Sequence, residues 1–296
     1  MGLATFRGGV HPFEGKELSM DRAVNVLKPT SGEMVYPLSQ HIGAPAKAIV
    51  KVGDEVLVGQ KIAEAGGFIS AVVVSSVSGK VKKIEPRVTA GGAKSISIVI
   101  ENDGLYTAVE GLGEDRDATK LSKQEIRDIV REAGIVGLGG AGFPTNVKLT
   151  PKDESKIDYV IVNGAECEPY LTCDYRMMIE EPERLVGGLK VMLQLFENAK
   201  AVIGIENNKP KAIEKLRALV KDEPKITVEP LRTKYPQGGE RSLIYAVTGR
   251  EINSSMLPAD AGCVVDNVNT VMAIYDAVCK QTPILERVIT VTGDAV

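Results

Sequence analysis

Histidine is almost missing from this chain of 296 residues: only His11 and His41 occur. Both lie far upstream of the glycine-rich stretch described below. That excludes a histidine-based triad around the stretch, though another acid or base remains open. Cysteine is sparse too. Cys167, Cys173, Cys263 and Cys279 form no C-x-x-C pair and no disulfide framework. Cys167 and Cys173 flank Pro169 with no histidine nearby, a poor half-site for zinc, so no metal ligands are expected in this chain. Free thiols in a reducing compartment are the expectation. No apolar run approaches the roughly 18 residues of a membrane span, and the N-terminus lacks the apolar core of a signal peptide. The expected location is cytosolic, or peripheral to a membrane through partners. Lysine plus arginine number 36 against 39 acidic residues, a formal charge of −3, which gives no electrostatic case for nucleic acid.

What is present is an ordinary globular composition, 44% hydrophobic and 25% charged, in a length suited to about two domains or three small ones. One stretch stands out: Gly137-Leu138-Gly139-Gly140-Ala141-Gly142-Phe143-Pro144-Thr145-Asn146-Val147-Lys148. Glycines remove the side chains that keep a ligand off the backbone, and they permit the positive φ angles that turn successive N–H groups toward one point. Such a concavity suits a phosphate or a flat polar ring. Lys148 would add a positive charge and Phe143 an apolar face. The other reading is a flexible turn. If chemistry happens here, a bound cofactor is expected to carry it.

Residues 1–40 have little periodicity and read as an extended arm lying on another domain, with His11 beside Pro12 in a packing or capping role. Residues 41–103 read as short strands: 48–52 and 55–58 around a Gly53-Asp54 hairpin signal, then 61–64, 71–74, 79–84 and 95–100. Close spacing with Gly/Asp turns implies a small sandwich or barrel. Lys80, Lys82 and Lys83 read as a solvated strand face. Residues 104–121 are a polar linker. Ser122 with Glu125 three residues on forms a capping box for a helix that Gly134 ends. The glycine stretch therefore follows a helix, which is not the order of the dinucleotide fingerprint.

From 122 to 265 an α/β alternation follows. Strands at 159–162, 201–205 and 226–228 are separated by helices at about 183–196, 210–220 and 239–249. Continuous apolar strands imply a largely parallel sheet covered on both faces, with ligands at the carboxyl ends of its strands. Two loops lie there: Asn163 to Pro169, and Tyr235-Pro236-Gln237-Gly238-Gly239-Glu240-Arg241, which opens a helix and so offers free N–H groups to a phosphate. Glu166 and Glu168 read either as a solvated turn or as acceptors for ring N–H groups and ribose hydroxyls. A helix over 268–280 and a strand over 287–292 follow, then a Gly293-Asp294 turn. A single strand has an unpaired edge, so the sequence reads as cut inside a last small domain spanning 266–296.

The barrel phrases Val52-Gly53-Asp54-Glu55-Val56-Leu57-Val58-Gly59-Gln60 and Ser78-Gly79-Lys80-Val81 resemble the lipoyl/biotinyl barrel-sandwich hybrid. The stretch Gly66-Gly67-Phe68-Ile69-Ser70 lacks the carrier lysine of those domains. Residues 137–145, Asn163 to Pro169, Tyr235 to Glu240, and Asp266-Asn267-Val268-Asn269-Thr270 resemble, in order, the flavin-contacting segments of the NADH-binding flavoprotein subunit of respiratory complex I. With Thr5 to Pro12 and Pro37 to Pro45 added, the chain resembles the RnfC subunits of Rnf ion-translocating ferredoxin:NAD oxidoreductases over essentially its whole length.

The resemblance implies a barrel-sandwich hybrid, a Rossmann-like α/β flavin domain and the start of a β-grasp (SLBB-type) domain. It implies noncovalent FMN and NAD(H), and two 4Fe–4S clusters beyond the present sequence, which lacks their cysteines. By position, Gly137, Gly139, Lys148, Asn163, Glu166, Cys167, Tyr235, Gly238, Gly239, Glu240, Asn267 and Thr270 would surround FMN, while Gly140, Phe143, Glu168 and Glu240 would face the nicotinamide nucleotide. Ala165, Gly239 and Pro151 depart from the complex I pattern, where an acidic residue, a glutamate and an aromatic are expected. The implied activity is electron transfer between ferredoxin and NAD coupled to Na⁺ or H⁺ movement, with hydride transfer carried by the flavin and no catalytic side chain. The implied partners are the other subunits of a membrane complex, at its cytoplasmic face, and ferredoxin indirectly. A cobalamin reductase-type flavoprotein of a microcompartment and a non-catalytic docking subunit are the alternatives.

Overall fold

The computed structural model describes residues 2–292. The Gly293-Asp294 turn expected above lies outside the described residues. Two compact units emerge. One holds residues 25–148 and 276–287, the other the arm to Val24, Leu149–Tyr275 and the chain from Val288. Helix and glycine stretch at 122–148, grouped above with the α/β segment, thus belong by compactness with the barrel.

The barrel unit has seven strands: β1 (Glu33–Pro37), β2 (Lys47–Ala48), β3 (Glu55–Val56), β4 (Lys61–Glu64), β5 (Val73–Val74), β6 (Gly79–Val88) and β7 (Lys94–Asn102). They form two antiparallel sheets, ordered β1-β7-β6-β3 and β2-β4-β5. Tyr36, Val56, Ile62, Val77, Val81, Ile98 and Ile100 fill the space between them. This sandwich is the expected fold with two corrections. The Gly53-Asp54 turn does not join a hairpin: β2 pairs with β4 and β3 with β6, so the chain changes sheets at the turn. The supposed arm supplies β1, whose Tyr36 lies opposite Ile98 of β7. Lys82 and Lys83 do stand on an exposed face, where Lys82 meets Glu33 at 3.2 Å.

In the same unit, α1 (Lys123–Glu132) begins at Ser122, whose hydroxyl accepts the Glu125 N–H while the Glu125 carboxylate accepts that of Ser122. Ile126 and Val130 are buried beneath it. The glycine stretch follows and leads into the single-turn α2 (Thr145–Lys148).

The second unit is a four-stranded sheet, all parallel, ordered β10-β9-β8-β11. Its strands are β8 (Tyr159–Gly164), β9 (Lys200–Glu206), β10 (Ile226–Leu231) and β11 (Cys263–Asn267). Val160, Ile161 and Val162 are fully buried, as both faces of a parallel sheet must be. The helices are α3 (Cys173–Glu180), α4 (Pro182–Leu195), α5 (Pro210–Leu219), α6 (Glu240–Thr248) and α7 (Val268–Cys279), the last ending among residues of the barrel unit. Leu243 and Ile244 of α6 pack on Ile161, Ala165 and Val265. Two glycines in α4 admit α7: a Cβ on Gly188 would stand 2.1 Å from the Val271 carbonyl oxygen. The arm extends the carboxyl edge of this sheet. Arg232 N–H donates to Ala4 at 3.0 Å, and Val10 exchanges backbone bonds with Tyr235 at 2.8 Å each.

The expected strand at 287–292 does not form, and no strand of a third domain occurs among the described residues. No neighbouring strand is there to pair with it. The Thr290 hydroxyl instead accepts the N–H groups of Thr172 (3.0 Å) and Cys173 (3.1 Å), at the start of α3.

Candidate functional site

Register places the site in the α/β unit. β8 and β11 run parallel with Asn163 beside Asn267, so the loops leaving them start at one level of the sheet's carboxyl edge. Asn163 Nδ2 donates to the Gly238 carbonyl at 2.7 Å, and its Oδ1 accepts the Ala165 N–H at 3.3 Å. Gly238 N–H in turn points to Cys167 Sγ at 3.2 Å. The approach is close enough that a Cβ on Gly238 would lie 3.3 Å from both Asn163 Oδ1 and Cys167 Sγ. The loops after β8 and β10 therefore form one hydrogen-bonded rim.

Asn267 and Thr270 join that rim through Asp174, which no sequence signal marked. Asn267 and Asn269 each donate a carboxamide N–H to the Asp174 carboxylate at 2.6 Å. Asp174 N–H donates to Glu166 Oε1 at 2.7 Å, and Tyr175 N–H to Oε2 at 3.3 Å. Glu166 adopts a left-handed φ of 47°, uncommon for a residue with a side chain, and this aims its carboxylate at the first turn of α3. The turn has no capping side chain of its own. Glu166 is thus neither in a solvated turn nor an open acceptor; it is buried and serves the helix start. Burial, with the Asp174 charge second, pushes its carboxyl up to about 7, against the opposing pull of Lys209 and Lys16. Thr270 is fully buried.

Two buried lysines brace the loop from β8, and neither was singled out above. Lys209 donates to the Ala165 carbonyl at 2.6 Å and lies 3.4 Å from Glu206, both side chains almost wholly buried. Lys16 of the arm donates to the carbonyls of Glu168 (3.0 Å) and Leu171 (2.5 Å). Glu206 three residues before Lys209 was the available sequence signal; nothing local marks Lys16. Glu168 is exposed, and its charge beside Tyr235 raises the phenol pKa.

The start of α6 tests the fit of a phosphate-bearing group. Its N-cap is Gly239, with no side-chain cap, so no side chain covers its first-turn amides. Gln237 is fully buried one turn earlier; its Oε1 accepts from Thr5, while its Nε2 has no acceptor. Glycines at the mouth, uncapped amides and an unsatisfied buried donor suit an anionic, hydrogen-bond-accepting ligand. Glu240, first residue of α6, is exposed there.

The remaining predicted residues belong to the barrel unit. Gly137 N–H is taken by the Phe143 carbonyl at 2.8 Å, closing the stretch into a turn. Among Gly137, Gly140 and Gly142 only Gly142 has a positive φ, 68°, which corrects the expectation of successive left-handed glycines. Gly139 and Gly140 form an exposed tip; Phe143 and Lys148 are half-buried. Among the described residues, the one group of potential metal ligands is Glu166, Cys173 and Asp174, already engaged as above, and no cysteines gather as for an iron–sulfur cluster. No helix among them is long and apolar enough to cross a membrane.

Two family models match in succession: the RnfC barrel sandwich hybrid domain over residues 4–105 and the Nuo51 FMN-binding domain over residues 130–276. Over 99% of its length the chain is 47% identical to the RnfC-type subunit of a proton-translocating ferredoxin:NAD(+) oxidoreductase complex from Clostridium ljungdahlii. It is 46% identical to the corresponding subunit of a Na(+)-translocating complex from Acetobacterium woodii, and 40% to that of an ion-translocating oxidoreductase complex from Pseudomonas aeruginosa. The chain spans 64%, 66% and 38% of the length of these relatives. With an N-terminal sandwich followed by a parallel α/β unit, matched in that order by both family models, the chain belongs to the RnfC family.

Proposed function

We propose that the chain is the flavin- and nicotinamide-handling part of a membrane-bound ferredoxin:NAD oxidoreductase, holding FMN and receiving NAD(H). The observation that carries this reading is the shared rim: Asn163, Cys167 and Gly238 tied directly together, beside an uncapped helix start and the unsatisfied Gln237 donor. Bound FMN would supply exchange between the two-electron hydride of a nicotinamide and the single electrons of iron–sulfur carriers.

The residues have positioning roles. The amides of Gly238, Gly239 and the first turn of α6 would hold the phosphate, with Gln237 Nε2 as a further donor. Asn163 and Asn267 fix the loop ends that would border the ring, and Tyr235 and Glu168 form the exposed polar edge where a nucleotide ribose would be oriented. Lys16 and Lys209 keep the loop after β8 in one conformation, so its donors and acceptors need no reorganisation when a ligand arrives. No side-chain acid or base is required, in keeping with thiols that burial holds protonated: Cys173 is pushed up to about 11 and Cys167 is raised. The iron–sulfur carriers, the ion-moving subunits and the ferredoxin contact belong in this reading to other parts of the complex, with the chain at its cytoplasmic face.

Reconstitution tests it. Protein incubated with FMN and desalted is expected to keep a flavin absorption band that bleaches on adding NADH. Protein that emerges colourless at saturating FMN would leave only shared ancestry.

A further inference from the structure

The chain after α7 returns to the barrel unit and lies along α1 and the glycine stretch. Arg116 N–H donates to the Cys279 carbonyl at 2.8 Å, and its guanidinium to Gln281 Oε1 at 2.7 Å. Ile284 N–H donates to the Ala133 carbonyl at 3.1 Å. Arg287 then donates a guanidinium N–H to the carbonyl of Leu138, inside the glycine stretch.

That bond completes the fastening of the stretch. Gly137 N–H closes on the Phe143 carbonyl (2.8 Å), and Ile42 N–H holds the Gly142 carbonyl (3.3 Å). What remains exposed is Gly139-Gly140-Ala141, and a Cβ placed on Gly140 would meet nothing within 4 Å. The sequence from Gly134 to Lys152 contains no acidic residue. No carboxylate among the described residues pairs with Arg287, and its side chain is exposed. A guanidinium has five N–H donors in a rigid fork, so one can hold a carbonyl while others face an anion; an ammonium cannot fix that geometry.

We propose that Arg287 is the cation of the glycine stretch. It positions the turn through the Leu138 carbonyl and offers its remaining donors to the phosphate of a nucleotide ligand lying over the exposed tip. The ligand class rests on the flavin–nicotinamide reading; the positioning of the turn does not. Either the FMN phosphate or the pyrophosphate of NADH supplies the same chemistry, and the experiment separates them.

Arg287→Ala and Arg287→Lys are compared with the parent chain in binding titrations of FMN against riboflavin, and of NADH against reduced nicotinamide riboside. Backbone hydrogen exchange over residues 137–143 is followed in parallel. In Arg287→Ala one of the two phosphate preferences is expected to fall by at least about tenfold, the size of one hydrogen bond to a charged group. A fall confined to FMN over riboflavin assigns Arg287 to the flavin phosphate; a fall confined to NADH assigns it to the dinucleotide. Arg287→Lys is expected to keep part of that preference while the turn exchanges faster. Both preferences unchanged in Arg287→Ala would overturn the proposal. If the parent chain binds none of the four ligands, the flavin reading fails separately. Exchange then decides for Arg287: faster exchange of 137–143 in Arg287→Ala supports its positioning role, and unchanged exchange removes it.

Discussion

Asn163 donates its carboxamide N–H to the Gly238 carbonyl at 2.7 Å, joining the end of β8 to the turn that opens α6 across 75 residues of sequence. The direction of this bond makes a sharp prediction. Asn163→Ala leaves the Gly238 carbonyl and the Ala165 N–H without partners, at a cost of about 1–3 kcal/mol. Asn163→Asp is nearly isosteric but places an acceptor against an acceptor, and is expected to be worse than alanine. Urea unfolding of the three proteins measures the order. Should Asp prove as stable as Asn, the bond does not contribute to the rim.

A second prediction concerns Lys209 and Glu206, a wholly buried pair 3.4 Å apart. Lys209→Met removes the charge that Glu206 faces and the donor that holds the Ala165 carbonyl at 2.6 Å. Breaking such a pair from one side costs about 3–5 kcal/mol, because the other charge stays buried. The double variant Glu206→Gln/Lys209→Met is expected to recover part of that loss, since no lone charge remains. A double variant less stable than the single one by urea midpoint would contradict the pairing.

Local rules made much of this architecture legible. Ser122 and Glu125 gave the start of α1 because a capping box is written within four residues. The apolar run of β8 gave a buried parallel strand for the same reason. What escaped depends on distant residues. The start of α3 is satisfied by Glu166 and Thr290, one seven residues before it and the other more than a hundred after, so no local signal exists. The short β11 is recognisable only beside β8. Lysine reads as solvated by default, which hid Lys16 and Lys209 beneath the candidate site. Arg287 reads as the first residue of a strand until the chain is seen to bring it to Leu138.

Helix packing yields a third prediction. Alanine at Gly188 would put a Cβ 2.1 Å from the Val271 carbonyl oxygen and 2.9 Å from its carbon, so α7 itself must move. Alanine at Gly187 would meet only the ring of Tyr275, at 2.5 Å, and a ring can turn aside. Overpacking costs about 1–3 kcal/mol where side chains can give, and more where backbone must. Thermal melts should therefore rank Gly188→Ala well below Gly187→Ala; equal melts would mean that α4 and α7 are not in this contact.

The fourth prediction follows from Glu166, whose carboxyl burial pushes up to about 7. In the unfolded chain the same group releases its proton near about 4.3. Between those values the folded state binds more protons than the unfolded one, so stability falls as pH rises through this window and levels off above it. The full difference is of order 2–3 kcal/mol, at about 1.4 kcal/mol per pKa unit. Glu206, also raised by burial, adds a slope of the same sign, so the test is the difference between the parent chain and Glu166→Gln. Glutamine keeps a carbonyl for the Asp174 N–H and carries no charge at any pH. Asp174, Lys209 and Lys16, the charges that bear on this position, are present in both proteins. The parent chain should lose ground to Glu166→Gln steadily from pH 5 to pH 8 in urea unfolding. Parallel pH profiles for the two would show that Glu166 ionises in the fold as it does in water, which its 2.7 Å bond inside the start of α3 does not allow.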